Sequence, residues 1–402
     1  MNKIYYLSGY LFSLMFILYG LSAEIFERKL FFNEILSLVG FVTFFIVYFK
    51  KNFKIILPKS PIFKYVLFFL LLNIFHLITS FYFKTNLYYY LRNSVIFYSI
   101  FVFFWAFYFY EAFLLLLLKV KRILLYYIGV FLIYPSYVFL ERFTTSFFFP
   151  LFLKRININN IIILVILNVI LAIQYSSLTV TIIALLVSFF ILIRTYSQFK
   201  IILIGISVFI ITLSIYLSPS LKLYKDGEYQ LYGQGTGMNK VVASNFLLSL
   251  DYNTTWRTVF WYRVISENFP KNFIGIGFGT PLIYYKEGFD TADSSFNDEH
   301  DAHVTGCHNT FITLHSRLGI GFILIMLGIY REVFRNFYKR REFLFQHIEG
   351  SFFIAFIVVT IIGCFNLLLE SPTASGIFWA LLGFVTKIIH KNEPFIPKGS
   401  LK

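Results

Sequence analysis

An arginine four residues ahead of a tryptophan (Arg257, Trp261), three glycines at alternate positions (Gly275, Gly277, Gly279) and a histidine-asparagine pair (His308, Asn309) share one polar stretch between long apolar runs. A guanidinium presents phosphate oxygens with a fixed fork of donors. An imidazole that titrates near neutrality serves as a general base or a phosphate partner. Glycines let the backbone turn tightly or approach a neighbour closely. Each residue also has an ordinary reading: arginine beside tryptophan anchors helices at lipid headgroups, and a lone histidine at a helix end is common. Arg142, which follows Glu141 at the end of an apolar run, has the same two readings.

Two tempting motifs fail on inspection. Gly275-Ile276-Gly277-Phe278-Gly279 lacks the glycine spacing and the strand-turn-helix setting of a dinucleotide fingerprint. The acidic stretch with Asp290, Asp293, Asp298, Glu299, His300, Asp301 and His303 matches neither a calcium loop nor a catalytic-zinc helix, so it reads as a solvated acidic segment and no metal is assigned. Cys307 and Cys364 support neither a disulfide framework nor a thiolate metal site.

The elements that must carry these residues follow from composition. With 58% hydrophobic and only 14% charged residues over 402 positions, an ordinary soluble globule is excluded. The expectation is an all-α polytopic membrane protein. A crossing takes roughly 20 apolar residues, and such runs lie near 4–22, 31–49, 62–83, 94–118, 123–141, 147–174, 177–194, 199–217, 308–330, 349–369 and 372–389. Glu24, Glu27 and Arg28 follow the first run in place of a small-residue cleavage site, so it reads as a retained helix. Three parts result: an N-terminal bundle (1–217), a long polar loop (218–307), and C-terminal helices with a tail (308–402).

Charge sets the expected sidedness. The connections around Lys50 to Lys64, Lys119 to Arg122 and Arg331 to Arg341 are basic and therefore cytoplasmic under the positive-inside rule. The long loop holds seven Lys/Arg against ten of the chain's 20 acids, which places it on the outer side. Eight crossings before that loop break the parity, and a broken or re-entrant segment between Glu141 and Arg155 restores it, giving eleven to twelve passes. Within the loop, Lys222 to Asn239 carries no periodicity. From Thr255 to Asn268 the spacing of Trp256, Phe260 and Val264 predicts a helix that Asn268-Phe269-Pro270 ends.

Taken together, R-x-x-x-W from Arg257, N-F-I-G-I-G-F-G from Asn272, and H-N-T-F-I followed by G-I-G from His308 to Gly321 resemble the O-antigen polymerase and ligase superfamily. Arg142-Phe143 is similar to a family arginine at an outer helix end. Leu369-Glu370-Ser371-Pro372 with Phe378-Trp379 looks like the polymerase branch. The chain departs from the family pattern in two places. Ser176-Ser177 stand without the usual arginine, and Ser316-Arg317 stand where an acidic residue is common.

The resemblance implies a GT-C-type inner-membrane glycosyltransferase whose active site faces the periplasm. Its donor is a glycan on undecaprenyl pyrophosphate, with no nucleotide sugar and no cofactor. His308 and Arg257 would be catalytic. Arg142, Trp261, Gly275, Gly277, Gly279 and Asn309 would bind substrate, Asn309 by orienting His308. Membrane lipids, a chain-length regulator and a flippase are the implied partners, and no nucleic acid is. A polymerase extends a lipid-linked repeat unit; a ligase delivers the chain to the lipid A core or to a protein. The other readings are a lipid-linked oligosaccharide transporter, for which inverted repeats are lacking and His76 is the main midplane candidate, and a polysaccharide receptor, which would not need clustered Arg, Trp and His.

Overall fold

A computed structural model describes residues 22–25, 28–31, 34, 37–38, 41–42, 45, 60–83, 87–114, 228–229, 241–242, 261, 264–282, 306–347, 349–364, 367–371 and 374–391. The expected run 4–22 apart from Ser22, the runs 123–141, 147–174, 177–194 and 199–217, and the acidic stretch 290–303 lie outside the described residues. So do Arg142 and Arg257.

What is described is mainly helical. Helix α1 spans Pro61–Tyr82, and α2 spans Tyr90–Leu114. After the polar loop come α3 (Thr310–Leu318), α4 (Ile320–Lys339), α5 (Arg341–Gln346), α6 (Glu349–Gly363) and α7 (Ser375–Lys391). Among the described residues α1 and α2 are long and apolar enough to cross a membrane. Proline at the start of α1 costs no hydrogen bond, because the first turn has no acceptor for that amide.

Two small antiparallel ribbons were not expected. Strands β1 (Ser22–Ile25) and β2 (Arg28–Phe31) pair where the sequence suggests only a junction between spans. Glu24 stands opposite Lys29 in the register of that ribbon. Strand β3 (Glu228–Tyr229), inside the stretch Lys222 to Asn239 that carries no periodicity, pairs with β4 (Val241–Val242) just beyond it.

The apolar run 308–330 is not one helix either. Gly319 at φ 73° closes α3 and opens α4. Only glycine enters that left-handed region without steric cost, so the chain breaks there.

The core is aromatic. Phe63 of α1 meets Phe103 and Phe107 of α2 edge-on, at 5.1 and 4.8 Å. Phe113 of α2 stacks on Phe384 of α7 at 4.7 Å, and Phe356 of α6 tilts against Phe378 of α7 at 5.3 Å. Offset and edge-on pairs contribute beyond area burial. Helices α2 and α7 approach closely at Gly383, whose missing side chain admits the backbone at Phe103 and Phe107.

The helix ends sort by chemistry. Lys391 pairs with Glu111 at one end, where Arg340 also donates to the Ile388 carbonyl at 2.6 Å and completes the C-terminal turn of α7. Ser80, Asn93, Phe278, Thr310 and Glu370 gather at the other.

Replacing Gly383 with Val should force α2 and α7 apart at the cost of about 1–3 kcal/mol. Gly321→Ala meets only the flexible tip of Leu72 and should be neutral. Thermal midpoints of the detergent-solubilised protein test both, with a drop expected for Gly383→Val alone.

Candidate functional site

The site is organised around α3, nine residues long. Its last carbonyls have no intrahelical partner, and the glycine segment supplies them. Ile276 N donates to Ser316 O at 2.9 Å and Gly277 N to Arg317 O at 3.0 Å, while Gly319 N takes His315 O at 2.8 Å. Running so close requires glycine: Gly275 sits at φ 110° and Gly277 at φ 80°, and a Cβ on Gly275 would overlap the Arg317 carbonyl.

The helix in turn holds this strap. Arg317, with no exposed surface, donates from one guanidinium nitrogen to Gly277 O at 3.1 Å and Thr280 O at 2.9 Å. Two other helices grip the same residues. Phe278 N donates to Ser80 Oγ of α1 at 2.9 Å, and Asn93 Nδ2 of α2 donates to Phe278 O at 2.5 Å. The Phe278 ring is fully buried, 6.4 Å from the ring of His76, and Gly279 is buried beside it. The three glycines thus act at a helix-capping joint.

At the other end of α3 stands His308. Its φ of 52° is the one positive value at a non-glycine among the described residues, an arrangement that persists only when neighbours hold it. They do. Trp261 Nε1 donates to Cys307 O at 2.7 Å, and Cys307 N donates to Thr313 Oγ1 at 3.2 Å, so both polar backbone groups of Cys307 are fixed. Asn309 is the N-cap, its side chain accepting from Phe311 N at 3.0 Å and Ile312 N at 3.1 Å. His308 is locked from both sides, half-buried, at the head of α3. Burial pushes the Cys307 thiol up to about 12, leaving it unreactive.

The turn before α7 joins here. Thr310 donates to Glu370 Oε2 at 2.5 Å and accepts from Leu368 N at 2.7 Å. Burial raises the Glu370 carboxyl above the usual carboxylate range, although the Thr310 hydroxyl pulls the other way. Among the described residues no group of three or more metal-binding side chains occurs.

The expected residues divide as follows. Trp261, His308 and Asn309 come together, Trp261 by bonding the chain just before His308 and Asn309 by capping the helix just after it. Gly275, Gly277 and Gly279 lie at the far end of α3. Arg317, Thr310, Glu370, Ser80 and Asn93 complete the arrangement and were not singled out as site residues from sequence. Arg317 carried a signal nonetheless, as a cation inside an apolar run. No protein-family model and no curated protein matches the sequence.

Arg317→Ala strands buried carbonyls at about 1–3 kcal/mol each, so cleavage between residues 275 and 282 under limited proteolysis should rise several-fold. Glu370 gives a pH test. A carboxyl whose pKa is raised by folding favours the folded state below its unfolded pKa, and that advantage is lost as pH rises through the folded value. Thermal stability of the wild type should therefore decline across that window, and Glu370→Gln should flatten the decline.

Proposed function

We propose that this chain is a multi-pass glycosyltransferase of the bacterial inner membrane, GT-C-like with eleven to twelve crossings, that polymerises a surface polysaccharide such as O-antigen. Its donor is a glycan on undecaprenyl pyrophosphate, and its acceptor is the non-reducing end of a lipid-linked repeat unit. The observation that carries the reading is the locked His308. A base must be held within hydrogen-bond reach of the proton it removes, and the bonds of Trp261, Thr313 and Asn309 hold the backbone on either side of it.

Sidedness supports the same reading. His308 lies at the end of the helices opposite the Lys391-Glu111 pair and Arg340. With basic ends in the cytoplasm, His308 faces the periplasm, where lipid-linked glycans are joined without nucleotide sugars.

In the reaction the acceptor hydroxyl attacks the anomeric carbon, the bond from that carbon to the pyrophosphate oxygen breaks, and His308 takes the hydroxyl proton. Negative charge grows on the departing pyrophosphate. Arg257 and Arg142 are the cations assigned to it, because fixed donors act strongly in a water-poor site.

The test is the glycan profile of a deletion strain complemented with wild type, Arg257→Ala or His308→Ala at matched membrane levels. The variants should leave single repeat units on the lipid core, with transfer reduced on the order of 10²–10⁴-fold for His308→Ala. Long chains accumulating on undecaprenyl pyrophosphate would instead make the protein a ligase. Unchanged chain length in both variants would sink the glycosyltransferase reading and favour a transporter or receptor.

A further inference from the structure

The segment ahead of the glycine strap has an apolar face that stands exposed among the described residues. Between residues 264 and 274 the chain makes a helical turn, a bend at 268–270 and the 3-10 turn Lys271–Phe273. Val264, Asn268 and Asn272 point inward. Asn268 is fixed there by donating to Val264 O and Leu282 O, both at 2.8 Å. On the opposite side Ile265, Phe269, Phe273 and Ile274 are 47, 64, 56 and 72% exposed. The Phe269 and Phe273 rings meet edge-on at 5.8 Å on this face. A polar outer-side segment that shows solvent four large apolar side chains needs an occupant.

Its position names one. Phe273 and Ile274 press their carbonyls against Gly319, the residue before α4. The outer side of α4 carries on with the exposed Ile320, Leu324 and Leu327. Helix α1, which packs beside α4, adds exposed Leu71, Phe75 and Ile78. One apolar surface therefore runs from the spanning helices past their ends onto the loop. Exposed Lys271 lies among the aromatics, the pairing of cation and ring that suits phosphate headgroups above acyl chains.

We propose that residues 265–274 form a foot seated in the headgroup-acyl boundary of the outer leaflet, with phospholipid as its occupant. The inference rests on the membrane reading above, and not on the glycosyl-transfer chemistry. The foot hangs from the strap that caps α3, so the bilayer surface fixes the level at which α3 stands. A lipid pyrophosphate at that surface then arrives at the height of the site.

Full-length protein in phospholipid nanodiscs tests this. Phe269→Cys and Phe273→Cys, and separately Leu71→Cys, are labelled with bimane, and the unsubstituted chain serves as the labelling blank. Quenching by a nitroxide carried on the lipid near its headgroup is compared with quenching by aqueous iodide. Lipid-borne quenching should exceed iodide quenching at least twofold at both foot positions. Iodide quenching at 269 and 273 with lipid quenching at 71 would overturn the foot and leave the membrane reading standing. Iodide quenching at all three would overturn both. Labels reached by neither quencher would assign the face to a protein partner and end the proposal.

Discussion

The fold around the site depends on one reciprocal exchange. The glycine strap gives its amides to the last carbonyls of α3, and Arg317 of α3 gives its guanidinium to the carbonyls of the strap. Each side satisfies groups that would otherwise be buried unpaired, so neither can be withdrawn alone. A fully buried guanidinium is expensive to desolvate. Here the expense is offset by carbonyl oxygens whose own alternative was to be stranded. Ser80 and Asn93 extend the exchange to α1 and α2, which ties the polar loop to the helices before it.

The same economy of partners appears at the head of α3. Thr310 uses one hydroxyl twice, as donor to Glu370 and acceptor from Leu368, and so draws the C-terminal turn onto the helix that follows His308. Residues far apart in sequence thus meet through single polar atoms, and apolar packing fills the space between. Phe69 of α1 lies 5.2 Å from Trp379 of α7, a contact that brings the first described long helix against the last.

Much of this was legible in the sequence, and the failures have physical causes. The run 62–83 corresponds closely to Pro61–Tyr82, because an uninterrupted apolar run with proline at its start has few other solutions. The helical turn ending at Asn268-Phe269-Pro270 was also readable, since proline has no amide to continue it. The run 308–330 misled because hydropathy averages over Gly319, and a backbone break leaves no trace in an apolar count. Arg317 looked like a departure from a pattern; its bonds run to main-chain carbonyls, which carry no sequence signature. The glycines were correctly read as permitting close approach, but what they approach, the end of α3, depends on tertiary contact. From sequence Asn309 reads only as a partner for His308; the cap it makes on the Phe311 and Ile312 amides is found in the structure.

Helix α3 is anchored at both ends by pieces of the same loop. Its tail is held by the strap, and its head by the residues around Cys307. At about 1.5 Å per residue, nine residues set these two points roughly 13 Å apart. The helix is therefore a ruler: the distance from strap to histidine is set by the number of residues in α3 and changes only if a turn is added or lost.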